Sequence, residues 1–175
     1  MLIKENYICH LKSAKSWLFV LILLIGVAYL SIRYLDIEIK ESLWILIPAI
    51  LLTVFPGMAA QLWYTQKSRG VRIELRDSQF TYLKNGHSFI YIYHDIEIIM
   101  CNKTASYDAG RYTAGLEQFW NLQIFTNDGR ILFITCLMYS DLDKLIAFFR
   151  NKGTNVKVNN GSIGFKNSKP TNELK

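Results

Sequence analysis

Charge, proline and cysteine are all scarce in this sequence of 175 residues. Only 19% of the residues are charged and 51% are hydrophobic, whereas soluble domains have roughly 25% charged residues. The aromatic content of 14%, with only three prolines, excludes a mostly disordered chain. Three cysteines without close spacing exclude a disulfide scaffold and a cysteine-rich zinc site. The length suits one domain with a membrane anchor, and part of the surface is not expected to face water.

Two long uncharged runs predict a membrane hairpin of two helices at residues 16–66. The first run, Ser16–Ile32, covers about 25 Å as a helix, close to the roughly 30 Å of a bilayer core. The second run, Leu43–Gln66, contains Pro48 and Pro56, which membrane helices tolerate as kinks. A cleaved signal peptide is the alternative for the first run, but the run is long and a second one follows at once.

Basic residues lie on the outer flanks of the two runs and set the expected orientation. They are Lys4, Lys12 and Lys15 before the first run, and Lys67, Arg69, Arg72 and Arg76 after the second. Since basic flanks stay in the cytoplasm, we expect an inner-membrane protein of a bacterium with both termini cytoplasmic. Residues 1–15 then form a cytoplasmic flank. The net charge of +6 is attributed to contact with anionic lipid, and no nucleic-acid partner is expected.

Residues 70–158 change to short alternating runs, which predict a cytoplasmic antiparallel β domain. The predicted strands are Val71–Asp77, Gln79–Leu83, Ser88–Tyr93, Ile96–Cys101, Gln118–Thr126 and Ile131–Leu137, and Val156–Val158 could form a last one. Asn85-Gly86 and Asn127-Asp128-Gly129 predict hairpin turns. A helix is predicted at residues 140–152, capped by Ser140. Its apolar face could bind a partner, but such a face beside a sheet usually closes the core. Residues 159–175 are predicted to be a mobile basic tail.

This order of elements resembles bacterial membrane proteins with a pleckstrin-homology-like (PH-like) domain behind a two-helix transmembrane hairpin. The resemblance rests on Phe80–Tyr82 with its hairpin to Ile90–Tyr93, on His94–Ile99, on Leu122–Gly129 and on the helix. It implies an α+β membrane protein whose seven-stranded, strongly bent sheet is closed at one corner by the helix. It also implies scaffolding, lipid proximity or protein recognition without catalysis. The basic clusters of phosphoinositide-binding members are absent, since Lys84 is the only cation between Arg76 and His87.

No pattern in the sequence predicts an enzyme, a cofactor or a metal site. His10, His87 and His94 lack the spacing of metal ligands. The neighbouring His94 and Asp95 are interpreted as a turn or edge feature, because adjacent strand residues point to opposite faces. The glycines at 110 and 115 lack the Lys-Ser/Thr of a phosphate loop. Cys101 and Cys136 are predicted to be buried and inert, while Cys9 lies near the membrane, where acylation is conceivable.

The favoured function is that of a membrane-anchored interaction or scaffold module that binds a protein partner. Its contact site is predicted at the long loop Asn102–Glu117, because Tyr, Trp and Arg dominate interface energetics. The candidate residues are Tyr107, Arg111, Tyr112 and Trp120. Two alternatives stay open. One is an immunity protein that neutralises a cognate interbacterial toxin by direct binding. The other is a small transport or channel subunit, suggested by the kinked second run and assembled as a homo-oligomer, although neither run carries a charged residue.

Overall fold

The structure is a computed structural model, and it describes residues 1–34, 38–104 and 119–160 apart from the side chains of Ser16 and Asn160. Within these ranges the chain is an α+β protein with four α-helices and eight strands. In chain order they are β1 (Leu2–Lys4), α1 (Tyr7–Tyr34), α2 (Ile39–Thr53), α3 (Phe55–Ser68), β2 (Val71–Leu75), β3 (Gln79–Lys84), β4 (His87–Ile92), β5 (Ile96–Lys103), β6 (Trp120–Thr126), β7 (Ile131–Thr135), α4 (Leu142–Asn151) and β8 (Val156–Asn160).

The helical region differs in its bounds from the two predicted spans. Helix α1 begins at Tyr7, well before Ser16, and is 28 residues long. The run Leu43–Gln66, predicted as one span with kinks at its prolines, is divided into α2 and α3, which meet at Val54 with a bend of 41°. Pro56 lies in the first turn of α3, where no intrahelical N–H is needed, so it favours a new helix start there.

Apolar length distinguishes α1 from the other described helices. Its 18-residue segment Trp17–Tyr34 has a mean hydropathy of 2.0, is long enough to cross a bilayer and is 0% buried in the protein. Helices α2 and α3 meet the same criterion only when the bent pair is taken as one span. The described residues therefore contain one or two helices with the length and composition of a membrane span.

The strands form two sheets of four. One has the order β1-β2-β3-β4, and the other has the order β7-β6-β5-β8. All six predicted strands are present, with ends shifted by at most two residues. The prediction of purely antiparallel pairing is wrong at β8, which pairs parallel to β5. The count of eight strands in two sheets also differs from the seven-stranded bent sheet that the resemblance implies.

Strand β1 is an element that the sequence did not predict. Residues 1–15 were expected to form a separate flank, yet Leu2–Lys4 pair antiparallel with β2. Ile3 lies directly opposite Ile73, and both are 0% exposed in the core. The N–H of Asn6 donates to the carbonyl of Leu137 at 3.0 Å, which fixes the chain where it enters α1. Residues 1–15 are therefore not a separate flank. Strand β1 pairs with a strand on the other side of three helices in the sequence, and no local pattern reveals such a pairing.

Both predicted hairpin turns are confirmed. Asn85 and Gly86 have φ of 51° and 85°, the positive values that a tight hairpin between β3 and β4 requires. Gly129 has φ of 80° in the turn from β6 to β7. These turns fix the register, so that Phe80 pairs with Tyr91 and their rings stack at 5.3 Å in the core.

Helix α4 closes the core as expected, with different ends. It spans Leu142–Asn151 and not 140–152, and the cap is Asp141 and not Ser140. The Asp141 carboxylate accepts from the N–H of Lys144 at 3.0 Å, and a carboxylate also suits the positive end of the helix dipole. The apolar face of four residues is buried: Leu142, Leu145, Ile146 and Phe149.

Candidate functional site

The contact between α3 and the second sheet decides how the helices are held on the β domain. Small and polar residues repeat every three or four positions along α3 and are all buried: Gly57, Ala60, Tyr64 and Ser68. The ring of Tyr64 lies 5.2 Å from that of Phe119, and Trp63 meets Phe133 edge-on at 6.5 Å. We call the set Trp63, Tyr64, Lys67 and Ser68, with their partners on β6 and β7, the junction. Its apolar burial fixes α3 rigidly on the sheet.

Hydrogen bonds between buried side chains complete the junction. The amide of Asn121 donates to the Tyr64 hydroxyl at 3.1 Å, and its oxygen accepts from the amide of Asn102 at 3.1 Å. The hydroxyls of Ser68 and Thr135 lie 2.6 Å apart. All five residues are at most 5% exposed. Buried polar groups that satisfy one another specify a single arrangement, because any sliding leaves them unpaired.

Removing the Tyr64 hydroxyl tests this contact. We expect Tyr64→Phe to lower the free energy of unfolding by about 1–2 kcal/mol, because Asn121 loses a buried acceptor. Tyr29, which is 64% exposed, offers a matched control, and Tyr29→Phe should change the free energy by less than about 0.5 kcal/mol. Denaturant unfolding of the detergent-solubilised protein measures both. Equal effects of the two substitutions would contradict a stabilising role of the junction.

A second polar cluster joins α1 to α3. The imidazole Nε2 of His10 lies 2.9 Å from the Glu5 carboxylate, and Nδ1 lies 3.2 Å from the Gln61 amide. The Ser13 hydroxyl donates to the Gln61 side-chain oxygen at 2.7 Å. The Ser13 hydroxyl also lies 3.0 Å from the backbone carbonyl of His10, so it contacts the main chain of that residue and not its imidazole, and Ser13 is only 2% exposed. This arrangement does not activate a nucleophile, so it favours a structural tie between the helices.

The turn between β6 and β7 carries the clearest electrostatic effect. The hydroxyl of Thr126 donates to the Asp128 carboxylate and is the main reason that the pKa of Asp128 is lowered. The N–H and the side chain of Arg130 contribute further, each at 3.3 Å, and the Tyr91 hydroxyl also donates at 3.3 Å. These contacts favour the ionised carboxylate in the folded protein.

Acidification should therefore weaken this hairpin. Because the pKa of Asp128 is lowered on folding, its contribution is present above the unfolded pKa and is lost as the pH falls through the lower folded pKa. We expect Thr126→Val, which removes the main donor, to reduce the loss of stability on acidification from neutral pH to below about pH 4. Thermal unfolding at a series of pH values measures this. An unchanged pH profile in Thr126→Val would contradict the assignment.

The predicted partner-binding residues are not brought together by the described part of the structure. Tyr107, Arg111 and Tyr112 lie outside the described residues. Trp120 begins β6 and is 2% exposed, so its burial in the core does not favour direct contact with a partner. Outside the helices, large apolar side chains are exposed on both edge strands of the first sheet: Ile90 and Ile92 on β4, at 64% and 48%, and Leu2 on β1, at 51%.

The histidine–aspartate pair and the cysteines that the sequence analysis considered lie at positions where they support the fold. His94 and Asp95 lie in a single 3-10 turn, as expected, and the Asp95 carboxylate accepts from the N–H of Ile92. All three cysteines are buried. Burial raises the pKa of the Cys136 thiol to about 12 and also raises that of Cys9, so both thiols are poor nucleophiles. Among residues 1–34, 38–104 and 119–160, no group of three or more His, Cys, Asp or Glu residues could hold a metal ion.

Sequence reasoning missed the residues that fix the helices to the domain. Ile3 belongs to a three-residue strand, which is too short for a detectable alternation. The stripe of Gly57, Ala60, Tyr64 and Ser68 did carry a signal, since small and hydroxyl residues at helical spacing are typical of close helix packing.

Comparison with known proteins adds no assignment, since no protein-family model and no curated protein matches this chain.

Proposed function

We propose that the protein is a non-catalytic interaction module with a PH-like β domain, anchored in a bacterial inner membrane by its helical hairpin. The observation that carries the proposal is the pairing of β1 with β2. These strands lie immediately before and after the helices, so the chain enters and leaves the helical region on the same side of the domain. A hairpin with an even number of crossings satisfies this connection, with both termini in the cytoplasm.

Exposed apolar surface on the helices supports the membrane placement. In α1 alone, Phe19, Ile22 and Tyr29 are each at least 60% exposed, and in α2 Trp44, Ile45 and Leu52 are each above 70%. Soluble monomers rarely expose contiguous apolar patches beyond a few hundred Å². A bilayer would cover this surface, and Trp44 near the start of α2 suits an interface with the lipid headgroups.

The rigid junction supports a positioning role for the anchor. Because α3 is fixed to β6 and β7 by Tyr64 and Ser68, the β domain is held in one orientation relative to the helices. Such a module would present the same surface of the domain to any partner at the membrane. The two alternatives, an immunity protein and a channel subunit, gain no specific support from the contacts described above.

Cysteine accessibility tests the topology sharply, because the three native cysteines are buried. Glu38→Cys places a thiol between α1 and α2, and Lys84→Cys places one in the β domain; both positions are exposed. A membrane-impermeant maleimide should label the Glu38→Cys variant in spheroplasts without permeabilisation, and the Lys84→Cys variant only after lysis. The protein should also stay in the membrane after alkaline carbonate washing. Release by carbonate, or labelling of both variants from one side, would overturn the proposal.

Partner binding needs its own experiment. The wild type, Arg111→Ala/Tyr112→Ala and Ile90→Asp/Ile92→Asp would be extracted in mild detergent and their stoichiometric partners identified by mass spectrometry. Loss of a partner in the first variant alone supports the predicted loop, and loss in the second alone assigns the contact to β4. A polymorphic toxin as the single partner would favour the immunity function. Recovery of every partner by both variants would refute both contact sites.

A further inference from the structure

The first turns of α1 have an outward side that no other described part of the protein covers. Residues 7–16 precede the apolar segment Trp17–Tyr34. On their inner side Cys9 and Ser13 are buried, whereas Tyr7, Ile8 and Leu11 are 75%, 60% and 51% exposed. A helix end attached to a water-soluble domain would ordinarily show polar residues there.

This outward side has a regular spacing and continues into the apolar segment. Ile8, Leu11, Lys12 and Lys15 follow the i, i+3, i+4, i+7 pattern of one helix face and are all exposed. We call these four residues the collar stripe. The same spacing then runs on through Leu18, Phe19 and Ile22, which are exposed on the apolar segment. The collar stripe is therefore continuous with the surface that the bilayer would cover under the proposed function.

Among the described residues, no acidic side chain forms an ion pair with the lysines of the collar stripe, Lys12 and Lys15. Nearby, Lys4 lies directly opposite Arg72 in the β1–β2 register, and both are exposed. Like charges directly opposite each other destabilise a sheet, so an anionic ligand beside this edge would be favourable.

The length of α1 shows where the collar stripe would sit. With 28 residues α1 is about 42 Å long, and the hydrocarbon core of a bilayer is about 30 Å thick. The excess of about 12 Å, or about eight residues, is enough to cross the headgroup layer of one side, which is about 5–8 Å thick, and to extend beyond it. Lysines at this level extend their ammonium groups to lipid phosphates while their aliphatic stems stay in apolar surroundings.

We propose that the collar stripe binds anionic phospholipid headgroups, with the Lys12 and Lys15 ammonium groups on lipid phosphates, with Leu11 among the headgroups beside them and with Ile8 at the outer boundary of the headgroup layer. The inference rests on the proposed membrane anchoring and adds the class of lipid that the anchor prefers. Because the lysines are positively charged, the collar stripe binds an anionic lipid surface more tightly than a neutral one. Each lysine near such a surface increases the affinity about fivefold.

Native mass spectrometry of the full-length protein in detergent tests the preference, with phosphatidylglycerol and phosphatidylcholine as probes. We expect the wild type to bind phosphatidylglycerol more tightly, and Lys12→Gln/Lys15→Gln to weaken that binding about 10- to 30-fold. The matched control Lys144→Gln/Lys157→Gln removes the same charge from exposed positions on α4 and β8. It should bind like the wild type. Equal binding of phosphatidylglycerol by the wild type and the collar variant would overturn the proposal.

A second measurement locates the stripe directly. Leu11→Cys, labelled with an environment-sensitive fluorophore, should show blue-shifted emission in nanodiscs that contain phosphatidylglycerol. Emission typical of water in a carbonate-resistant protein would overturn the lipid assignment and leave the anchoring intact. Crosslinking of the introduced thiol to another protein, or to a second copy of this chain, would overturn it in favour of a protein contact. Release of the wild type by carbonate would overturn the anchoring and the lipid site together.

Discussion

Replacing Ile3 with aspartate is expected to lower the free energy of unfolding of the β domain by more than about 4 kcal/mol, or to prevent its folding. Ile3 is 0% exposed and belongs to the main core, opposite Ile73. The substitution removes a buried isoleucine, which contributes roughly 2–3 kcal/mol by burial, and it leaves a carboxyl group without a partner in an apolar site.

Leu2 provides the control for this experiment. It lies in the same three-residue strand but is 51% exposed, on the opposite face of the sheet. Leu2→Asp introduces the same charge at nearly the same place in the chain, and we expect a loss of less than about 1 kcal/mol. Chemical unfolding of the purified full-length protein, followed by near-ultraviolet circular dichroism, measures both. Similar losses for the two variants would show that β1 is not part of the core.

The position of β1 also separates folding of the domain from membrane insertion. The core defect of Ile3→Asp lies outside the apolar helices, so the variant should still resist carbonate extraction while its β domain becomes sensitive to protease. Release of Ile3→Asp from a membrane that retains the wild type would mean that insertion depends on the folded β domain. That outcome would assign the anchoring to the domain and not to α1–α3.

Local signals were sufficient for most of the β domain. Gly86 and Gly129 need positive φ, and each ends a run of alternating residues, so both hairpins followed from turn chemistry. The buried face of α4 followed from its helical spacing. The cap was wrong because Ser140 and Asp141 are both good N-cap residues, and only the backbone geometry selects between them.

Non-local pairing explains what the sequence could not predict. The partner of β1 lies 68 residues or more along the chain beyond it, since Lys4 pairs with Arg72, and the intervening helices hide that relation. Strand β8 joins β5 in parallel, because α4 carries the chain back across the sheet before β8 begins. The prolines indicated a kink in the second run, but an apolar window does not show that the run divides into two helices at Val54.

The candidate site was the least predictable part of the molecule. Residue types that dominate interfaces also fill cores, and Trp120 is an example, since it is 2% exposed. The junction was missed for a different reason. Tyr64 lies at the end of an apolar run and Ser68 follows between two basic residues, as in a membrane interface, yet their hydroxyls contact Asn121 and Thr135 of the β domain. Only the folded chain shows that the end of α3 packs on protein.

Enlarging Gly57 is the second substitution for which we expect a large effect. A Cβ at this position would lie 2.9 Å from the Cβ of Trp17, where α1 and α3 approach each other. The Trp17 Cβ is attached directly to the α1 backbone, so the clash can be relieved only by moving one helix. We expect Gly57→Ala to cost about 1–3 kcal/mol and Gly57→Val to cost more.

Gly26 provides the control for this prediction, because alanine at that position should not lower the free energy of unfolding. Gly26 also lies in a helix, but a Cβ added to it meets nothing within 4 Å. Alanine is a better helix former than glycine by up to about 1 kcal/mol, so Gly26→Ala should be neutral or stabilising. Unfolding of the detergent-solubilised protein by increasing sodium dodecyl sulfate measures both variants. A stabilising Gly57→Ala would contradict close packing of α1 on α3.

The effect of Gly57→Ala should extend along the helix pair. The bond between the Ser13 hydroxyl and the Gln61 amide lies one turn further along α3 and spans 2.7 Å, so it depends on the same close approach. Ser13→Ala should therefore cost about 1 kcal/mol in the wild type and clearly less in the Gly57→Ala background. If the costs of Ser13→Ala and Gly57→Ala add, the clash is relieved by a local shift at Trp17 and does not change the rest of the α1–α3 contact. If the costs of the two substitutions do not add, Gly57 sets the spacing of the whole α1–α3 contact. The same spacing then fixes the position of the β domain relative to its helices.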